Sequence, residues 1–211
     1  MPLPNITLGT CVLPNCDSEE GSRLETIVRS SAILSPVLDR WPSISLPDCW
    51  LSGSVIAQTA WNEILGFPCH YGLADIDLVY FEADDLSAGA EMCQAVRVRS
   101  LLADLPIWTD VKNQARVHLW YNSKFGCAVA PYASTLHAIA TFPTTAGAVG
   151  IRPTPSGLSI FASFGLSDLL GLVVRPNKTQ ITRAIYETKT ARWRNLWPQL
   201  RIADWLEGDD E

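Results

Sequence analysis

The sequence has 211 residues, of which 47% are hydrophobic and 18% charged, so a packed core is expected and disorder as the main state is excluded. Sixteen Lys and Arg stand against 22 Asp and Glu, for a formal net charge of −6. That balance argues against a protein that coats nucleic acid, because phosphate binding needs a surplus of basic side chains; a local basic pocket stays open. No run of about 18 apolar residues is present, so no membrane-spanning helix is expected. Met1 to Asn15 carry three prolines and no positive side chain, unlike a secretory signal, and a cytoplasmic protein is expected.

Pro2, Pro4, Gly9 and Pro14 make residues 1–18 an irregular arm. Residues 19–200 are expected to form one domain, and 201–211 an acidic tail ending Glu207-Gly-Asp-Asp-Glu211. From Ser18, apolar residues at Leu24, Ile27, Val28, Ala32, Val37 and Leu38 fall at helical spacing, and Pro42 ends the run. Trp50-Leu-Ser52 reads as a short strand, and Val55 to Leu65 as a helix with Ser54 as N-cap and Gly66 as C-cap. Asp75 to Phe81 reads as a strand, and a helix capped among Asp84, Asp85 and Ser87 runs to about Leu102. Ile107 to Asn113 is a further strand, while Arg116 to Phe125 alternates briefly but also fits a helix, the preferred reading. A short helix at 134–140, strands at 146–152 and 158–164, a helical turn at 167–174 and an amphipathic helix at 179–195 complete the chain.

The six cysteines (Cys11, Cys16, Cys49, Cys69, Cys93, Cys127) contain no CxxC pair and read as reduced, packed thiols. His70, His118 and His137 have no zinc-ligand spacing. The sequons at Asn5 and Asn177 carry no meaning without a signal.

The informative stretch runs from Asp48 to Trp120. Gly53-Ser54 opens a helix, where free N–H groups and the positive end of the dipole suit a phosphate; an ordinary strand-to-helix turn has the same composition. Asp75 and Asp77 lie two apart on a strand, so both carboxylates project from one face, with Ile76, Leu78 and Tyr80 on the other. Such a pair repels itself unless a cation intervenes, and suits a hard divalent ion, or else marks a solvated strand end. Asp110 shares a strand face with Trp108 and Lys112 and is a candidate third ligand of a two-ion site, or a solvent-facing Asp. Lys112 and Arg116 are candidate phosphate contacts; the alternatives are a solvated Lys and an Arg paired with an acidic residue. On the last helix, Arg183, Lys189, Arg192 and Arg194 read as a solvated face beside a core stripe of Ile181, Ile185, Trp193 and Leu196.

In this order, Leu51-Ser-Gly-Ser54, Asp75-Ile-Asp77 and Asp110 resemble the nucleotidyltransferase superfamily of the DNA-polymerase-β type. The wider run is similar to one nucleotidyltransferase-like family of small bacterial and fungal proteins. The carriers are Leu46-Pro-Asp-Cys-Trp50, Gln58-Thr-Ala-Trp-Asn62, Tyr71 to Asp77, Asn113 to Tyr121, Gly165-Leu-Ser-Asp-Leu169 and Val174-Arg-Pro-Asn177, so the resemblance spans roughly residues 24–200. It implies an α+β fold of the polymerase-β type: a small mixed sheet with helices on one face and an acidic site on the other. It also implies Mg²⁺- or Mn²⁺-dependent transfer of a nucleoside monophosphate from an NTP to an acceptor. Asp75, Asp77 and Asp110 would be metal-binding and catalytic, with Gly53, Ser54, Lys112 and Arg116 around the nucleotide. A non-catalytic nucleotide-binding protein and a metal-dependent phosphohydrolase on the same scaffold are the alternatives. The gap from Ser54 to Asp75 is longer than usual for the superfamily, and its extra loop, Gly66 to Gly72, either shapes a pocket or lengthens a turn.

Overall fold

A computed structural model describes residues 18–207. The expected N-terminal arm, except Ser18, and the last four residues of the acidic tail lie outside the described residues. Ser18 caps the first helix, its hydroxyl accepting the Gly21 N–H at 3.0 Å.

The expected run from Ser18 to Pro42 is three helices rather than one: α1 (Glu19–Ser30), α2 (Ser35–Asp39) and α3 (Trp41–Ile44). Ser31 is the reason for the first break. Its side chain accepts the N–H groups of Ile33 and Leu34, and Pro36 and Pro42 then restart the chain at helix beginnings. Strand β1 (Trp50–Ser52) leads into α4 (Ser54–Leu65), which Gly66 ends in the left-handed conformation. Strand β2 (Asp75–Tyr80), α5 (Ala88–Leu101) and β3 (Trp108–Asn113) follow, with Ser87 as the cap of α5. One 3₁₀ turn (114–116) leads into α6 (Val117–Phe125), so the ambiguous segment is helical. Helix α7 (Thr135–Ile139), strands β4 (Val149–Thr154) and β5 (Gly157–Ala162), α8 (Ser167–Leu170), β6 (Val173–Val174), α9 (Arg183–Leu196) and β7 (Arg201–Ile202) complete the order. The strand expected at 146–152 starts three residues late because Thr144 caps a 3₁₀ turn over Thr145–Gly147.

The fold is α+β. Five strands form one mixed sheet in the order β3-β2-β1-β4-β5, with β2 and β3 parallel and the other neighbours antiparallel. Leu51, Ile76, Leu78, Val111, Ile151 and Ile160 turn one way, into the main core with α1, α4 and α5. Helix α4 is the centre of that core: every residue from Val55 to Asn62 is buried.

The other face, which carries Asp75 and Asp77, is also covered in part by a short helix. Trp50, Val79 and Phe161 on that face pack with Ile139 of α7, and Leu136, Ala140 and Phe142 join them. Residues 201–207 are not simply a tail: β7 pairs with β6, Ala203 is buried, and Trp205 packs on the main core. Asn177, one of the two sequons, is buried and donates to the carbonyls of Ala140 and Phe142. Cys49, Cys69, Cys93 and Cys127 are free thiols; Cys11 and Cys16 lie outside the described residues.

Loop Gly66–Gly72 does more than span a gap: Phe67 and Cys69 help line a small pocket of about 80 Å³ against α1 and α4. Phe67 stacks on Tyr71 at 4.6 Å, and the Tyr71 hydroxyl donates to the Leu196 carbonyl at 3.0 Å. Trp197 meets Tyr71 edge-on at 5.8 Å, and a Cβ at Gly72 would lie 2.6 Å from its ring. The loop therefore grips the end of α9. Trp193 and Trp197 reinforce that seat, lying edge-on to Trp61 of α4 at 5.2 and 5.5 Å.

Candidate active site

The site is built where β1 turns into α4. Gly53 sits at φ 84° and ψ −160°, a region open in practice only to glycine. Its N–H donates to the Val149 carbonyl at 3.1 Å, tying the turn to β4. The missing side chain is needed a second time, because a Cβ here would lie 2.7 Å from the Asp77 carboxylate. Gly53, not Ser54, is the N-cap of α4, and no side chain caps the helix. Ser54 is the first helical residue, so its hydroxyl is not spent on the cap as the sequence suggested. The first turn of α4 therefore starts close to the Asp77 carboxylate with no side-chain cap on its N–H groups among the described residues.

Strand alternation places Asp75, Asp77 and Val79 on the face opposite Ile76, Leu78 and Tyr80. Asp77 lies between two partners in register: Ser52 of β1 on one side and Asp110 of β3 on the other. Burial, then the neighbouring Asp75 and Asp110, push the Asp77 carboxyl up to about 7, against the opposing pull of Lys189 and Lys112. Ser52 is fully buried, and its hydroxyl has no hydrogen-bond partner among the described residues.

Asp110 is in register with Asp77 but engaged sideways. Its carboxylate lies 3.4 Å from the Arg99 guanidinium and 3.5 Å from the Lys112 ammonium. Among the described residues, no three acidic, His or Cys side chains close on one point. The expected three-carboxylate cluster is thus aligned by register but not closed. The ion pairs holding Asp110 are partly exposed, and such pairs contribute about 0–1 kcal/mol, so a divalent cation has little to overcome in drawing Asp110 inward. The donor set, all hard carboxylate oxygen, fits Mg²⁺ or Mn²⁺.

Arg116 is not brought to this group. Its guanidinium lies 2.6 Å from Glu91 and donates to the Leu86 carbonyl at 2.8 Å. Both side chains of the ion pair are nearly buried, and breaking a pair of that kind costs about 3–5 kcal/mol. A nucleotide phosphate would have to exceed that cost, so Arg116 is assigned to holding α5 against the start of α6. The same comparison, a weak exposed pair at Asp110 against a strong buried one at Arg116, separates the two expectations. His118 lies two residues on, its Nδ1 buried and without a partner.

Gly53, Ser54, Asp77 and Lys112 line a pocket of about 240 Å³, and so do Trp120, Tyr121 and Phe125 of α6 with Tyr132 and Phe142. One pocket thus combines charged and polar groups from the β1–α4 turn and its neighbouring strands with aromatic side chains from α6 and the segment around α7. The Tyr132 hydroxyl there donates to Gln180 at 2.8 Å and bonds the Thr141 hydroxyl at 2.9 Å.

Lys189 was not legible as part of the site. The sequence placed it among solvated charges of the last helix; in the structure it lines this same pocket, and its ammonium feels Asp77 and Asp75. Burial holds its pKa below the ordinary lysine value, against the raising effect of the two carboxylates. It also lies 5.1 Å from the ring of Trp193. The signal that would have found it is periodicity: Lys189 falls four residues after Ile185 and four before Trp193, on the buried stripe rather than opposite it.

The chain belongs to the nucleotidyltransferase family, whose family model matches residues 39–202. The structure is similar to an NMR structure of a CCA-adding enzyme head domain (TM-score 0.71, 21% identity, covering 87% of this chain and 95% of that one). It is also similar to the Thermotoga maritima CCA-adding enzyme complexed with tRNA (TM-score 0.52, 17% identity), covering 88% of this chain but 43% of that one. At these identities the likeness is one of fold. No protein among curated sequences matches this chain. Among the described residues, no helix is long and apolar enough to cross a membrane.

Proposed function

We propose that this nucleotidyltransferase moves a nucleoside monophosphate from an NTP to an acceptor hydroxyl, with Mg²⁺ or Mn²⁺ held by Asp75, Asp77 and Asp110. The observation that carries the reading is one pocket lined both by Gly53-Ser54, close against Asp77, with Lys112, and by the aromatic side chains Trp120, Tyr121, Phe125, Tyr132 and Phe142. A triphosphate fits the first and a nucleobase the second, since any base has a π-face to stack.

The first-turn N–H groups of α4 and the Ser54 hydroxyl donate to the β- and γ-phosphate oxygens, and Lys112 offsets their charge. Asp75 and Asp77 would hold one divalent ion and all three carboxylates a second; ions bound there would polarise the phosphates and lower the pKa of the acceptor hydroxyl. The acceptor gives up its proton and its oxygen bonds the α-phosphorus in line; the bond to the bridging oxygen of the β-phosphate breaks, and its electron pair leaves with pyrophosphate.

Labelled NTP distinguishes transfer from hydrolysis. With Mg²⁺ and a pool of hydroxyl acceptors, α-label is expected in the acceptor and γ-label in pyrophosphate; pyrophosphate released with the α-label in free nucleoside monophosphate and none in an acceptor would overturn the reading in favour of a phosphohydrolase. Asp110→Asn is expected to keep NTP binding within a few-fold and lose transfer by orders of magnitude, because it holds only the ion on the acceptor side.

Ser54→Ala is expected to weaken NTP binding by about ten- to a hundred-fold, the loss of one hydrogen bond to a charged group. Nucleoside monophosphate affinity and melting temperature should barely change, because the hydroxyl caps nothing. A lower melting temperature with unchanged NTP affinity would show that the hydroxyl serves the helix after all.

A further inference from the structure

We infer that Lys189 is a polyphosphate-binding residue, delivered to the carboxylate-bearing pocket by the last helix, so that the NTP is held between α4 and α9. This inference rests on the proposed nucleotidyl transfer. Three observations carry it.

The first is position. Lys189 lines the same pocket as Gly53, Ser54, Asp77 and Lys112, the residues to which the proposed function gives the outer phosphates. Lys112 comes to that pocket from β3 and Lys189 from α9, so cations from two different elements reach the space that an NTP's anionic end would enter.

The second is fixation. A long, flexible lysine aims poorly unless its helix is held, and α9 is held at several points. Trp193, one turn further on, is buried against Trp61; Trp197 is buried, and its indole N–H donates to Asn62 at 2.8 Å. The Arg192 guanidinium donates to the Gly72 carbonyl, and the Tyr71 hydroxyl to that of Leu196. The extra loop before β2 thus clamps the element that carries Lys189, a use for those residues that the turn alone does not explain.

The third is charge. The groups that face the ammonium are Asp77 and Asp75 from β2 and Arg192 from its own helix, with the Trp193 ring beneath it. No ion pair ties Lys189 to either carboxylate at contact distance among the described residues, unlike Arg99 and Lys112 at Asp110. The ammonium is therefore near the anionic centre without being locked to one side chain. When a cation takes Asp75 and Asp77, those carboxylates no longer balance Lys189, and the phosphate oxygens of the nucleotide become its partners.

The test is calorimetric titration, with Mg²⁺ present, of an NTP analogue that resists cleavage between its α- and β-phosphates and of the matching nucleoside monophosphate. Wild type, Lys189→Met and Lys189→Arg are compared. Met keeps the length and apolar stem and removes the charge, while Arg keeps the charge and guards against a folding defect in Met. The expected result is a loss of about ten- to a hundred-fold in NTP affinity for Lys189→Met, monophosphate affinity within about twofold of wild type, and restoration of most of the NTP affinity by Lys189→Arg. A melting-temperature change alone would be the mark of a counter-ion for Asp77. Lys189→Met binding the analogue as tightly as wild type would overturn the inference and leave the nucleotidyl-transfer reading standing. Equal losses for both ligands would also overturn it, because the defect would not lie at the outer phosphates. Wild type binding neither ligand would overturn the transfer reading, and this inference with it.

Discussion

Asp77→Asn is expected to make the ligand-free protein more stable at pH 8, while removing its metal-dependent affinity for NTP. Conservative changes to buried polar residues usually destabilise; here the sign reverses because the wild-type carboxyl is raised to about 7 by burial and by Asp75. In the unfolded chain the same group titrates near 4. Between those values the folded protein holds a proton that the unfolded chain has released, so stability falls as pH rises through the window, and the full cost is present above it. At about 1.4 kcal/mol per pH unit, a shift of this size corresponds to about 2–4 kcal/mol, or roughly 5–10 °C in melting temperature for a domain of this length. Asparagine fits the same space without the charge, and Lys189 keeps Asp75 as a neighbour. Thermal melts in a chelator at pH 4 to 8 check this: the mutant should gain most at pH 8 and the difference should close toward pH 4. A constant difference across that range, or a mutant less stable at pH 8, would contradict the electrostatic account of Asp77.

Gly53→Val is expected to lower stability and abolish NTP binding together. The backbone there costs a non-glycine residue about 1–3 kcal/mol, and β-branching adds to it. The new Cβ would meet the Asp77 carboxylate at 2.7 Å, so Asp77 must move or the turn must open. Either shift separates the helix start from the carboxylate, whose closeness the site depends on. Even Gly53→Ala meets the same oxygen, so it should lose nucleotide affinity out of proportion to its smaller stability loss. Melting curves and NTP titrations on both variants decide; wild-type affinity in Gly53→Val would mean that the close approach of Gly53 to Asp77 has no part in binding.

Much of this architecture was legible because local rules and tertiary packing agree. Alternation set Ile76, Leu78 and Tyr80 against Asp75 and Asp77 without any knowledge of neighbouring strands, and β2 and β3 then align Asp77 with Asp110. Gly66 marked the end of α4 for the stereochemical reasons that make glycine a helix terminator. The misplacements have equally local causes. Ser54 carries an ideal capping side chain, but the preceding glycine takes the cap because Asp77 leaves no room for a Cβ there. Ser31 broke the first helix by bonding its own downstream backbone, an option that apolar periodicity does not register. Arg116 carried the right charge beside the third-carboxylate strand, and only packing revealed Glu91 waiting for it. Lys189 needed the most context, since its role depends on contacts between α9 and a loop more than a hundred residues earlier in the chain.

The central claim is that a helix start and a set of strand carboxylates together bind an NTP through a divalent ion. Calorimetric titration of a non-hydrolysable NTP, with and without Mg²⁺, on wild type and Asp75→Asn tests it most directly. Wild type should bind with a strong Mg²⁺ dependence, and Asp75→Asn, folded by its melting curve, should lose that dependence. Affinity that is the same with and without Mg²⁺ in wild type, or Mg²⁺ dependence that survives in Asp75→Asn, would contradict the assignment of these carboxylates.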